Sequence, residues 1–357
     1  MSLFKKKRIF LDYAAGVENP SAIYAEGVAA KRKLEEARTK IARILEVQAR
    51  DIVFTSGGTE ADNLAMLGVF EKSREKISKP HVIISSIEHP AIKECAKEIV
   101  RRGGEMTVVE AEEGIVSAEK IARAIKENTV LVSVMYANNE TGAIQPVSKI
   151  AKLVAEYKKT RGTKFPYVHT DASQAGNFLS LNMSSVGADL MTLDASKMSG
   201  PKGAGLLVVR PHVELSPILF GGGQERGLRS GTENISAIVA FAEALERAQA
   251  HRESESERLE KLKNIFISSI EQSLPQAIIN TPEKHSLPNI VSISFPGQLH
   301  EFLAIKLDEK GICVSTGSSC ASSKDEEEKE ALRFSFGTKT TENDVREAIR
   351  VLKEIVL

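Results

Sequence analysis

Short apolar blocks punctuate this chain, separated by longer stretches in which apolar and charged residues alternate at helical spacing. The blocks predict strands at 8–11, 52–55, 81–85, 106–109, 130–135, 167–169, 190–193 and 204–209. The intervening stretches predict helices over 19–46, from the turn after 55 to about 70, from 90, over 117–126 and over 147–159. Strands alternating with helices imply an α/β fold with a mainly parallel sheet covered on both faces. In such sheets ligands collect at the carboxyl ends of the strands. Residues 232–273 read as largely helical, with the charge-rich 251–258 as a solvated helix surface between two domains. The remainder predicts a smaller α+β unit, with strands at 288–295 and 312–315 and helices at 300–310 and 341–356. The expected division is a large domain over 16–245 and a small one built from 1–15 and 246–357.

A length of 357 residues is enough for both domains with a substantial core. Lys plus Arg and Asp plus Glu both number 48, so the formal net charge is zero, which argues against nucleic acid or a membrane surface as the main partner. No apolar run approaches a membrane span or a signal-peptide core. The three cysteines, Cys95, Cys313 and Cys320, give neither a disulfide framework nor zinc spacing. No metal site is expected, and a reducing cytoplasm fits this usage.

Candidate chemistry sits where the apolar blocks end. Lys197 lies in a small-residue run after 190–193; burial there would disfavour its charged form, and a neutral lysine amine can form a Schiff base. A surface loop carrying Lys197 and Lys202 fits the same residues. Ser56, Gly57, Gly58 and Thr59 lie between a strand and a helix, either as an anion seat or as a tight turn with Thr59 as N-cap. Asp171 ends a strand, and it either caps the helix after it or partners a cationic group, with Gln174 within reach of the same ligand. His89 precedes Pro90 at another strand end, and Asn139 lies in a polar turn. Residues 221–232 combine glycines with Arg226 and Arg229, an expected exposed anion site in which Thr232 also starts a helix. Cys320 sits in a small-residue loop, the setting of an accessible thiol, and Arg333 is the natural fork for a substrate carboxylate.

Taken in order, the stretches 54–64, 88–89, 138–142, 171–174, 197–203, 221–232 and 315–320 resemble the cysteine desulfurases of the class V, fold-type I pyridoxal-phosphate (PLP) enzymes. The likeness covers nearly the whole chain and is strongest to the iron–sulfur-assembly branch. It implies a seven-stranded, mainly parallel sheet and a cytoplasmic homodimer. It implies conversion of L-cysteine to L-alanine, with a persulfide left on Cys320 for an acceptor such as an iron–sulfur scaffold or a tRNA-thiolation protein. Lys197 would bind the cofactor covalently and move protons, Asp171 would pair with the pyridinium nitrogen, Gln174 would contact the ring oxygen, and His89 would stack on the ring and act as acid and base. Gly58 and Thr59 would seat the phosphate, with Asp194 and Ser196 beside it, and Thr232 would reach the neighbouring subunit's site. Asn139 and Arg333, with Asn19, would hold the substrate carboxylate.

The chain departs from the family pattern in three places. Family members commonly carry Ser-x-His before the lysine, where this chain has Asp194, Ala195 and Ser196. The segment between Asp12 and Asn19 is shorter than usual, and so is the segment between Cys320 and Arg333. The wording of the motifs is assembly-type, while the loop length is closer to the other branch. A compact, divergent desulfurase is therefore expected. An aminotransferase or selenocysteine lyase of the same fold, or a non-catalytic scaffold paralogue, are the alternatives.

Overall fold

The computed structural model describes residues 8–317 and 331–357. Helix α1 (Ala25–Leu45) precedes strand β1 (Ile52–Thr55) and helix α2 (Gly58–Ser73). Then come β2 (His81–Ser85), α3 (Pro90–Arg101), β3 (Glu105–Val109), and a small hairpin of β4 (Ala111–Glu112) and β5 (Ile115–Val116). They are followed by α4 (Ala118–Arg123), β6 (Thr129–Ser133), α5 (Val147–Arg161), β7 (Tyr167–Asp171), α6 (Met183–Val186), β8 (Leu190–Asp194) and β9 (Gly205–Val209). The large sheet has seven strands in the order β1-β9-β8-β7-β6-β2-β3. The pairs β3/β2, β2/β6, β6/β7 and β7/β8 are parallel, and β9 runs antiparallel to both of its neighbours.

Strands β1, β2, β6 and β9 are buried at every position, because helices cover both faces. That is why they read as continuous apolar runs rather than as alternation. On one face Leu34 and Ile41 of α1 join Phe241, Val132 and Val168 in one core. On the other face Leu64 and Phe70 of α2 and Ile92 and Ile99 of α3 pack with Tyr167 and Leu207. Full burial of each such side chain stabilises the fold by roughly 1.5–3 kcal/mol.

Helices α7 (Ile235–Ala250) and α8 (Arg252–Ser273) lead into an antiparallel sheet of β10 (Ile278–Ile279), β11 (Ile290–Ser294) and β12 (Leu332–Ser335), with α9 (His300–Glu309) and α10 (Glu342–Val356). Leu259, Phe266 and Ile270 of α8 recur at helical spacing and close a separate core with Val291, Phe334 and Leu352. On β12, Leu332 and Phe334 are buried on that core, so the pleat turns Arg333 to the opposite face.

Several expectations need correction. Residues 8–11 form no strand; Ile9 and Leu11 are exposed and no neighbouring strand pairs with them among the described residues. Helix α1 starts at Ala25 rather than at 19, because Asn19 accepts the Ser21 N–H on its side chain (2.9 Å) and the Ala22 N–H on its carbonyl (3.1 Å), which closes a turn. Residues 312–315 contribute a single bridge, Ser315 to Arg333, instead of a strand. Helix α7 is capped by Asn234, which accepts the Ala237 N–H, and not by Thr232. The charged run 251–258 is not all solvated surface: Arg258 donates to the carbonyls of Gly337 (2.9 Å) and Thr340 (2.7 Å) and so ties α8 to the start of α10.

One buried ion pair fixes the loop over 221–231 to the sheet. Arg38 of α1 makes a bidentate contact with Glu225 (2.6 and 2.9 Å) and donates to the Ile52 carbonyl (3.0 Å). Glu225 in turn accepts the Phe54 N–H (2.9 Å). Replacing Glu225 with Ala leaves the Arg38 guanidinium buried without its counter-charge, and should cost on the order of 3–5 kcal/mol. Urea unfolding of E225A beside wild type measures this; a loss below ~1 kcal/mol would mean that the pair is dispensable.

Candidate active site

The carboxyl ends of β1, β7 and β8 converge with the start of α3 on one cavity of about 720 Å³, closed on its far side by β12. The glycine turn after β1 can lie there only because the chain beside it is also glycine. A Cβ on Gly205, at the start of β9, would come within 2.5 Å of the Gly57 carbonyl carbon. Gly58 and Thr59 open α2, where the first N–H groups have no intrahelical acceptor. The N-cap position belongs to Gly57 and not to Thr59. The Gly58 N–H donates to Asp194 Oδ2 (2.9 Å), and the Ser56 N–H to Glu60 (2.8 Å).

Asp171 closes β7 and accepts the Ser173 N–H (2.9 Å), with Gln174 on the same turn. Both residues line the cavity. His89 caps α3: its Nδ1 accepts the Ala91 N–H (3.1 Å), so the neutral ring carries its proton on Nε2. Burial holds this imidazole below its ordinary range, partly offset by the carboxylates of Asp171 and Asp194. The ring is therefore neutral at pH 7.

Lys197 sits in a single 3-10 turn after β8 and lines the cavity. Its side chain is exposed to that space, not buried as the preceding apolar run suggests, because β8 ends at Asp194 and the turn carries Lys197 beyond the packed layer. The Lys197 carbonyl accepts Asn177 Nδ2 (2.7 Å), which fixes the turn. Lys202 lies in the exposed turn after it and is not part of the lining. Asn139 and Arg333 line the wall opposite, and Arg333 Nη1 donates to the Asn139 carbonyl (2.9 Å). Asp194 and Ser196 complete the lining near Gly58.

Asn19 is not brought to this cavity, and Thr232 is expected at the neighbouring subunit's site rather than here. Both lie outside its lining. Cys320 lies outside the described residues, although Ser315, on the chain leading to it, exchanges two backbone hydrogen bonds with Arg333 (2.7 and 3.2 Å). The arginines of the glycine-rich loop do not form an open anion site: Arg226 donates to the Ile52 carbonyl (2.8 Å) and Arg229 to Glu60 (2.8 Å), so both are used to hold the loop.

Residues 5–347 match the family model for class V aminotransferases. The chain belongs to that family. It is 34% identical to the putative cysteine desulfurase IscS 1 of Bacillus subtilis, over 98% of this chain and 99% of that protein. It is 38% identical to a cysteine desulfurase IscS of Clostridium botulinum, over 95% of this chain and 87% of the relative. Among solved structures a NifS-like protein superposes with a TM-score of 0.86 at 34% identity, covering 95% of this chain and 91% of the other.

Class V aminotransferases depend on PLP, and the cavity can be tested for that group. Its ring end fits: a carboxylate at Asp171, an imidazole at His89 and an amine at Lys197 all face one space. Asp62 is buried at the edge of the same cavity, where its Oδ1 makes no hydrogen bond among the described residues and lies 3.7 Å from His169 Nε2. The phosphate end fits less simply, because the Gly58 N–H already has an acceptor in Asp194.

Two buried acids beneath the site, Asp62 and Glu88, were not singled out by sequence reasoning. A signal existed for Asp62: it lies four residues after Gly58, hence on the same face of α2. Burial, with Asp171 nearby, raises Asp62 well above the ordinary carboxylate range. Burial pushes Glu88 up to about 8, against the opposing hydrogen bonds from Ser85 Oγ and the Met135 N–H. Glu88 is thus neutral at pH 7 in the folded chain and ionised in the unfolded one. Between pH ~4.5 and 8 the folded state binds the extra proton, so this group makes stability fall as pH rises. Glu88→Gln imitates the protonated acid and should lose less stability than wild type between pH 5 and 8. Thermal melts at both pH values check this; parallel losses in the two proteins would count against it.

Proposed function

We propose that this chain is a PLP-dependent L-cysteine desulfurase that works as a homodimer and passes sulfur to an acceptor protein. The observation carrying the reading is the meeting of Lys197, Asp171, His89 and Arg333 around one cavity, with the chain toward Cys320 rooted on Arg333. When bound, PLP supplies an electron sink for the substrate's α-carbon. Lys197 would hold the cofactor through its Nζ and would carry protons to and from the substrate. Asp171 would keep a proton on the ring nitrogen, Gln174 would orient the ring oxygen, and the neutral His89 offers a proton at Nε2. Arg333 and Asn139 grip the substrate carboxylate. Thr59, and Gly58 and Ser196 once released by Asp194, would provide donors for the phosphate.

The overall chemistry balances without an external oxidant. The C–S bond of cysteine breaks, an S–S bond forms to the Cys320 sulfur, and a proton takes sulfur's place on carbon. L-Alanine and a Cys320 persulfide result. An iron–sulfur scaffold or a tRNA-thiolation protein is the proposed acceptor, in a reducing cytoplasm. None of the described helices is long and apolar enough to cross a membrane.

The homodimer is supported by an exposed apolar surface: Ile23 is 96% and Phe220 84% exposed, and Ile23 and Val28 border a groove shared with Gly222 to Arg226. Thr232 comes just after this loop, away from its own chain's cavity, as a residue reaching a neighbouring site would. The proposed division is a large domain over 16–245 and a small one from 1–15 and 246–357, supported by the separate core around α8 and α10.

Two variants test the reading. Cys320→Ser should keep the PLP absorption band and lose persulfide and sulfide formation from L-cysteine; normal sulfide release would remove Cys320 from the reaction. Arg333→Ala should raise KM for L-cysteine by about 10- to 150-fold, the value of ~1.5–3 kcal/mol for a charged hydrogen bond. Steady-state alanine formation measures it, and an unchanged KM would move the carboxylate site elsewhere.

A further inference from the structure

The Asp194 carboxylate is fully engaged. Oδ2 accepts the Gly58 N–H at 2.9 Å. Oδ1 accepts the Ser196 N–H at 2.8 Å and the Ser196 hydroxyl at 2.6 Å. The Gly58 N–H and the Ser196 hydroxyl are two of the donors that a phosphate at the start of α2 would use. Asp194 Oδ2 lies only 3.4 Å from where a Gly58 Cβ would be, so no phosphate oxygen fits between the carboxylate and the turn. The positive end of α2 is thereby matched by an anion from the chain itself.

We propose that Asp194 is a self-seated anion: it occupies the phosphate seat of the cofactor-free chain and must release Gly58 and Ser196 before a phosphorylated ligand can bind. The inference rests on reading the cavity as a PLP site. Its consequence is a trade. The carboxylate stabilises the cofactor-free turn through three hydrogen bonds, and it weakens phosphate binding both by withholding two donors and by like-charge repulsion. A merely structural Asp194 would support stability and cofactor affinity together, so the two roles differ in sign.

The test compares cofactor-free wild type with Asp194→Ser and Asp194→Asn, the latter keeping an oxygen for Gly58 should the former fail to fold. PLP titration followed by absorbance should show about tenfold or tighter binding in the variant. The variant's cofactor-free melting temperature should be lower than that of wild type. Equal or weaker PLP binding in a folded variant overturns the proposal. If no protein binds PLP, the cofactor reading has failed and inorganic phosphate decides the seat. Phosphate that raises the melting temperature of the variant and not of wild type upholds the proposal, and equal shifts overturn it.

Discussion

Covering a parallel sheet on both faces is the constraint on which the other features depend. Helices on each side leave the inner strands of the large sheet with no solvated face, so their polar side chains can reach a ligand only where strands end. Asp171 and Asp194 are the last residues of β7 and β8, His89 caps the helix after β2, and Gly58 opens the helix after β1. The reversed strand β9 serves the same arrangement, since its Gly205 lies directly against Gly57 and lets the glycine turn sit low beside β8.

The second determinant is the electrostatics of a floor rich in acids. Asp62 and Glu88 lie beneath the cavity, where burial favours their neutral forms. His169, behind them, is held down to about 3 by burial and spends its ring nitrogens on Ser133 and Thr192 (2.8 and 3.1 Å). Charge near the cavity therefore resides in few places, and each has a partner or an opening. Glu60, a further negative charge in the first turn of α2, is turned to the Ser56 N–H and Arg229. Asp194 alone brings its carboxylate onto the Gly58 N–H.

The third determinant is the C-terminal unit, which supplies the cavity's outer wall. Its β12 keeps Leu332 and Phe334 on its own core and turns Arg333 toward the large sheet, where the bond to the Asn139 carbonyl spans the two parts. Arg258, in a run that looked like plain solvated helix, pins residues 337–340 behind this strand. A residue of α8 outside the cavity lining thus helps to hold the chain that follows Arg333.

By itself the sequence determined what depends on neighbours along the chain. The apolar runs of the seven strands, the helix starting at Pro90, the strand end that carries Asp171, the small-residue run that carries Lys197, and the order of motifs that marks the family are all local, because strand burial and capping act over a few residues. The tertiary structure alone decided what depends on distant partners. The chain over 8–11 has strand composition but meets no strand to pair with, and Arg226 and Arg229 look like an anion site until Ile52 and Glu60 claim them. Lys197 comes after an apolar run yet opens into the cavity. The contact between Asp194 and Gly58 joins residues 136 positions apart, and a long-range hydrogen bond leaves no periodic trace in a sequence.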